Sequence, residues 1–92
     1  MFSGIVEGTG VVKAIEKEME NVHFTIYWQH AGALKVDQSL SHNGVCLTVV
    51  AVDRETLTYR VTAIRETLIK SNLGLLQPGD KVNLERSMMM NG

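Results

Sequence analysis

Ser41-His42-Asn43-Gly44-Val45-Cys46-Leu47-Thr48-Val49-Val50 is the stretch on which the reading of this chain turns. Asn43-Gly44 is a turn dipeptide, because both residues tolerate positive φ. Beyond it the side chains alternate. Val45, Leu47, Val49 and Ala51 fall on one face, and Cys46, Thr48, Val50 and Val52 on the other. The only cysteine therefore leaves a tight turn at the head of a strand and shares a face with a threonine. A strand end beside a glycine turn is a place where backbone groups can meet a ligand.

The flanking sequence reads mostly as strands joined by turns, with eight glycines, one proline and many β-branched residues. Residues 2–10 hold three glycines and suggest a strand with a bulge or a close backbone approach. Residues 11–16 form the next strand or its continuation, with Val11 and Ile15 on one face, and the charged residues 17–21 make a connection. Residues 22–28 alternate clearly: Val22, Phe24, Ile26 and Trp28 point inward, His23, Thr25 and Tyr27 outward. Ala31-Gly32-Ala33-Leu34 fits a single helical turn. A turn at residues 53–55 makes a hairpin with residues 56–63, where Leu57, Tyr59 and Val61 share a face. Residues 64–72 fit a short helix with Gly74 as its stop. Gln77-Pro78-Gly79-Asp80 has proline and glycine where a type II turn needs them, and residues 81–86 supply the last strand. Several closely spaced strands with one short helix predict an all-β fold, a small antiparallel barrel whose closure removes exposed sheet edges.

Composition bounds the function. Ninety-two residues make one domain, residues 1–92, burying roughly 60–65% of its unfolded surface. A formal net charge of −1 gives no electrostatic case for nucleic acid or an anionic membrane as partner. One cysteine excludes an internal disulfide framework and fits a reducing, cytoplasmic location. The N-terminus lacks the pattern of a signal peptide, and no apolar run approaches the roughly 20 residues that cross a bilayer.

The candidate chemistry is sparse when the residues are taken alone. Core packing is the favoured reading of Cys46, since free cysteine is among the most buried residue types. A nucleophilic pair with His42 is weakly supported, because the Asn43-Gly44 turn separates the two. His23, His30, His42 and Cys46 lack paired metal-ligand spacing, and solvated surface histidines are the simpler reading. Gly8 and Gly10 read as permissive backbone, Ser39 and Ser41 as turn-approach serines, and Arg65-Glu66 as a solvated pair. From the residues alone the chain is a β-barrel suited to a planar polar ligand, with no reaction assigned.

Four segments, in order and at matching separation, resemble the N-terminal half of riboflavin synthase. They are Met1-Phe2-Ser3-Gly4-Ile5-Val6; Ser41-His42-Asn43-Gly44-Val45-Cys46-Leu47-Thr48-Val49; Glu66-Thr67-Leu68 followed by Asn72-Leu73-Gly74; and Pro78-Gly79-Asp80 with Val82-Asn83-Leu84-Glu85-Arg86. The resemblance implies a closed six-stranded antiparallel Greek-key barrel with a short helix. It also implies a transferase reaction, in which two molecules of 6,7-dimethyl-8-ribityllumazine become riboflavin and a pyrimidinedione with no metal or organic cofactor. The family's subunit holds two such barrels and usually forms a homotrimer. This chain matches the first barrel only, so catalysis by the single barrel is not implied.

Carried over position by position, the resemblance makes Gly4, Ile5 and Val6 backbone contacts to a bound pteridine or flavin. Cys46, Leu47 and Thr48 line the pocket with Thr62, Ala63, Ile64, Arg65, Glu66 and Thr67, and Phe2 helps close it. Glu66 and Thr67 match best; residues 62–65 depart from the family pattern. Ser39 and Cys46 are the candidate catalytic residues, through hydrogen bonding or proton handling at a reacting ring. A non-catalytic lumazine or flavin carrier of the same fold is the alternative. A single barrel with Met88-Met89-Met90 beside an uncovered apolar face is expected to form a two-fold homodimer.

Overall fold

The computed structural model describes residues 4–87. Phe2 and Met88-Met89-Met90 lie outside them. Six strands form a closed antiparallel barrel: β1 (Gly8–Glu18), β2 (Asn21–Tyr27), β3 (Ser39–His42), β4 (Val45–Asp53), β5 (Thr58–Ala63) and β6 (Lys81–Arg86). Around the barrel their order is β1-β2-β5-β4-β3-β6. Strands β3, β4 and β5 are consecutive neighbours, β2 returns beside β5, and β6 closes the circle between β3 and β1, which is a Greek key. One short helix, α1 (Arg65–Ile69), and two 3-10 turns, Ala31–Ala33 and Leu73–Leu75, complete the described elements.

Alternation explains the core. Phe24, Ile26 and Trp28 point inward, as do Tyr59, Val61 and Ala63, with Leu40, Leu47, Val49, Val82 and Leu84 from the remaining strands. Two bulges change the phase that strict alternation predicts. In β1, Val12 pairs with Ile26 and Ala14 with Thr25, so the extra residue Lys13 puts Val12 and Ile15 on the inner face; Val11 is on the other. In β4, Val49 pairs with Val61 and Ala51 with Arg60, so Val50 is the extra residue. Val52 then turns inward and Ala51 outward, the reverse of the pattern expected from the sequence.

The turns carry their own signatures. Asn43 (φ 52°) and Gly44 (φ 87°) both lie in the left-handed region, which makes a two-residue type I′ hairpin between β3 and β4. Gln77-Pro78-Gly79-Asp80 closes with Asp80 N–H donating to Gln77 C=O at 3.0 Å, with Gly79 at φ 96°. The β4–β5 loop has four residues, and β5 begins at Thr58. Helix α1 ends at Ile69; Gly74 sits inside the second 3-10 turn and does not stop the helix. Gly10 is required by contact, not by φ: a Cβ there would stand 2.7 Å from Ile26 Cγ2 and 2.9 Å from Leu84 Cδ1. Ser39 and Ser41 are strand residues.

His42 corrects the surface reading of the histidines. It is 1% exposed, with Nδ1 3.0 Å from Leu40 C=O and Nε2 2.8 Å from Tyr59 Oη. The carbonyl can only accept, so Nδ1 carries the proton and Nε2 accepts from the phenol. Burial pushes His42 down to about 4 and Tyr59 well above the usual phenol range. The neutral pair satisfies itself inside the barrel.

Candidate functional site

The site is a gap in the barrel wall. Asp37 N–H donates to Val49 C=O, and Val49 N–H to Gln38 C=O, so the backbone groups of Val49 point to the β3 side. Alternation then turns those of Cys46 and Thr48 toward β5. On β5, Trp28 N–H takes the Leu57 carbonyl on the β2 side, so Thr62 aims its groups toward β4 by the same rule. Yet the β4–β5 register runs only from Val49↔Val61 to Asp53↔Thr58. Val49 and Val61 point their own groups away from each other, so theirs is a non-hydrogen-bonded pair, closed on this side by Thr48 N–H on Thr62 C=O. Residues 46–47 face residues 63–64 beyond that last bond. Strand-edge N–H and C=O groups there are available to a planar molecule with amide donors and acceptors.

A cleft of about 470 Å³ lies over this gap, lined by Gly44, Val45, Cys46, Ile64, Glu66, Thr67, Lys70 and Ser71. The tight hairpin brings Cys46 to the rim, and the strand-to-helix junction at Ile64 brings the first turn of α1 opposite it. Cys46 is exposed on the outer wall, so the core-packing reading is overturned. The bulge at Val50 lies beyond it and leaves its outward phase intact. Lys70 Nζ reaches Glu66 Oε1 at 2.8 Å, an exposed i,i+4 pair, and Ser71 Oγ donates to Thr67 C=O at 2.6 Å. Arg65 pairs with Glu20 at 3.2 Å, so Arg65 and Glu66 are not a pair with each other.

A second cleft of about 650 Å³ adjoins the first and shares Gly44, Val45, Lys70 and Ser71 with it. Gly4 and Val6 line it, with Ser41, Asn83 and Glu85. The N-terminal segment is held across β6: Gly4 N–H donates to the Glu85 carboxylate at 3.0 Å, and Glu7 receives Arg86 Nη2 at 2.8 Å. The Arg86 guanidinium holds the Glu7 carboxyl below its usual range. Asn43 is fastened to β6 in both directions, its N–H on Asn83 C=O and its Oδ1 taking Asn83 N–H, each at 2.8 Å. That clamp fixes the turn where the two clefts meet.

Of the residues expected at the site, Cys46, Ile64, Glu66 and Thr67 share the first cleft, and Gly4 and Val6 line the second. Ile5 is exposed beside them. Thr48 and Thr62 border the gap on its outer face. Leu47 and Ala63 put their side chains in the core and offer only backbone. Arg65 points to Glu20. Ser39 is opposite Thr48 and lines a separate cleft with Lys35, Asp37 and Ser87, so it does not share a cleft with Cys46. The serine opposite Cys46 is Ser41, 6% exposed. The two-residue turn sets that pairing, and counting outward from Asn43-Gly44 identifies it. Lys70 was missed too; its position four residues after Glu66 on a helix was the available signal. Among the described residues no group of three His, Cys, Asp or Glu side chains is placed to hold a metal, and no helix is long and apolar enough to cross a membrane.

A closed Greek-key barrel whose wall opens along one seam under a polar cleft defines a small-ligand-binding domain. Residues 3–87 match the lumazine binding domain family, and the chain belongs to it. It is 39% identical over its whole length to riboflavin synthase of Bacillus amyloliquefaciens, covering 42% of that protein. It is 38% identical over 95% of its length to riboflavin synthase of Escherichia coli (strain K12), covering 41%. The chain thus spans less than half the length of these relatives. Among solved structures, LumP complexed with 6,7-dimethyl-8-(1'-D-ribityl) lumazine superimposes with a TM-score of 0.86 at 26% identity, covering 100% of this chain and 51% of that one. LumP complexed with riboflavin gives 0.85 at 25% identity, covering 99% and 51%.

Proposed function

We propose that the open end of the β4–β5 seam binds the ring of 6,7-dimethyl-8-ribityllumazine or riboflavin, and that this barrel serves as the N-terminal half of a cytoplasmic riboflavin synthase. The observation that carries the reading is the run of residues 46–47 against 63–64, beyond the last ladder bond and beneath a polar cleft. A fused pteridine presents alternating amide donors and acceptors at its edge, the complement of a strand edge. Glu66, Thr67, Lys70 and Ser71 lie at the α1 end of the cleft and suit the hydroxyls of a ribityl chain.

In the two-barrel reaction a second barrel brings another lumazine against the first, and orientation of the stacked rings supplies much of the acceleration. The acidic C7 methyl comes with the lumazine itself, and no cofactor takes part. Cys46 at the cleft rim is the better placed of the two candidate catalytic groups. Ser39, in its own cleft, acts on a ring that reaches over the outer wall from the partner barrel. Exposed Val6 (52%) and Ile64 (53%) beside the clefts support association of barrels, with a homodimer of this chain the simplest case.

Flavin fluorescence during titration with riboflavin tests the binding. The chain is expected to quench and shift the emission. Cys46→Trp, which fills the cleft from an exposed position, is expected to weaken binding at least tenfold, about 1.4 kcal/mol, with unchanged thermal unfolding. Equal binding by Cys46→Trp would sink the assignment of the cleft. Turnover of lumazine in a two-barrel protein containing this domain separates the enzyme from a non-catalytic carrier.

A further inference from the structure

The outer wall holds a three-residue relay that the reading above does not use. His23 on β2 stands directly opposite Thr62 on β5 and Glu16 on β1. Its side chain is only 13% exposed, and both ring nitrogens are engaged: Nε2 lies 2.7 Å from Glu18 Oε1, and Nδ1 lies 2.7 Å from Thr62 Oγ1. A carboxylate only accepts, so the neutral imidazole keeps its proton on Nε2 and leaves Nδ1 bare. The Thr62 hydroxyl must then give its single proton to His23. Its oxygen retains only lone pairs for anything else.

Thr62 stands where this matters. Continued one step past Val49↔Val61, the register sets Thr48 across from Thr62 on the outer face. Two steps further it sets Cys46 across from Ile64, and both of these line the cleft. Thr62 thus borders the seam at the end away from Glu66, Thr67 and Lys70. Resting on the proposed ring site, we infer that His23, oriented by Glu18, is a positioning residue that fixes Thr62 Oγ1 as a hydrogen-bond acceptor for a donor on the ring edge, the imide N–H. The polyol partners gather at the opposite, α1 end, which leaves the ring's imide edge for Thr62. Specificity for a ring with a free imide N–H then rests on a histidine that never touches the ligand.

The test compares riboflavin with 3-methylriboflavin, in which that N–H is replaced by N–CH₃, by fluorescence titration of the whole chain. The wild type should prefer riboflavin by about 3- to 10-fold, the value of one hydrogen bond. Thr62→Val and His23→Leu should bring the ratio close to one. His23→Asn, whose Oδ1 replaces Nδ1 as acceptor, should restore it. A structural role alone would weaken both ligands equally, so an unchanged ratio in His23→Leu or in Thr62→Val overturns the inference while leaving the ring site intact. Failure of the wild type to bind either flavin would instead overturn the ring site, and this inference with it.

Discussion

The two ends of the β4–β5 seam are built from the same strands and do opposite things. From Val49 to Asp53, β4 is paired to β5 and backs onto Tyr59 and Val61 in the core. At residues 45–47 the strand still pairs with β3 through the type I′ hairpin, but its other edge is free of the ladder. The inner face stays continuous, since Leu47 is as much a core residue as Val49. The barrel therefore exposes backbone for recognition without opening its core. A site can be a place where pairing stops as well as a place where side chains converge.

Proline substitution is the sharpest way to break that contrast. Arg60→Pro removes a backbone donor that faces β4 in the paired half. It is expected to cost on the order of 3 kcal/mol in urea unfolding. Cys46→Pro removes a donor that faces the gap beyond the last ladder bond. Its cost should stay within about 1 kcal/mol while riboflavin binding falls. Equal destabilisation by the two would mean that the gap is paired in solution.

The protonation of His42 tests whether the core behind the open half is as closed as its burial suggests. Its folded value of about 4 lies below the ordinary 6.5, so the unfolded chain binds the proton more readily. The stabilising contribution is complete above about pH 6.5 and is lost as the pH falls toward 4, amounting to about 3 kcal/mol. Chemical denaturation across that range should show the loss, and His42→Gln should lack that part of the slope. At the small end, Lys70→Ala removes only an exposed pair with Glu66. It should change stability by less than about 0.5 kcal/mol, with its effect confined to ligand affinity.

Much of this was legible in the sequence. Strand alternation identified Phe24, Ile26 and Trp28 as core, the Asn43-Gly44 pair marked its turn, and the four segments pointed to the family. What stayed hidden has physical causes. Single-residue bulges at Lys13 and Val50 carry no composition signal, yet each reverses the faces beyond it. Cys46 looked like a core residue because its type is usually buried; the hairpin register decides otherwise. His42 and Tyr59 are 17 positions apart, and His23 and Thr62 are 39 apart. The β2–β5 pairing makes His23 and Thr62 neighbours, and the barrel interior brings His42 on β3 to Tyr59 on β5.

Closure also has a kinetic side. Gly8 pairs with Leu84, and Gly4 N–H meets the carboxylate of a residue 81 positions away. The β1–β6 seam is therefore the most distant pairing in the chain, and loop-closure entropy makes such contacts slow to form. Yet the two strands run side by side, so a short linker joining them would turn that pairing into a local hairpin. Opened instead at residues 19–20, between β1 and β2, the same circular order of strands would meet its long-range cost at a different seam. Which strands meet last would then depend on where the chain is cut, while the gap between β4 and β5 keeps its place.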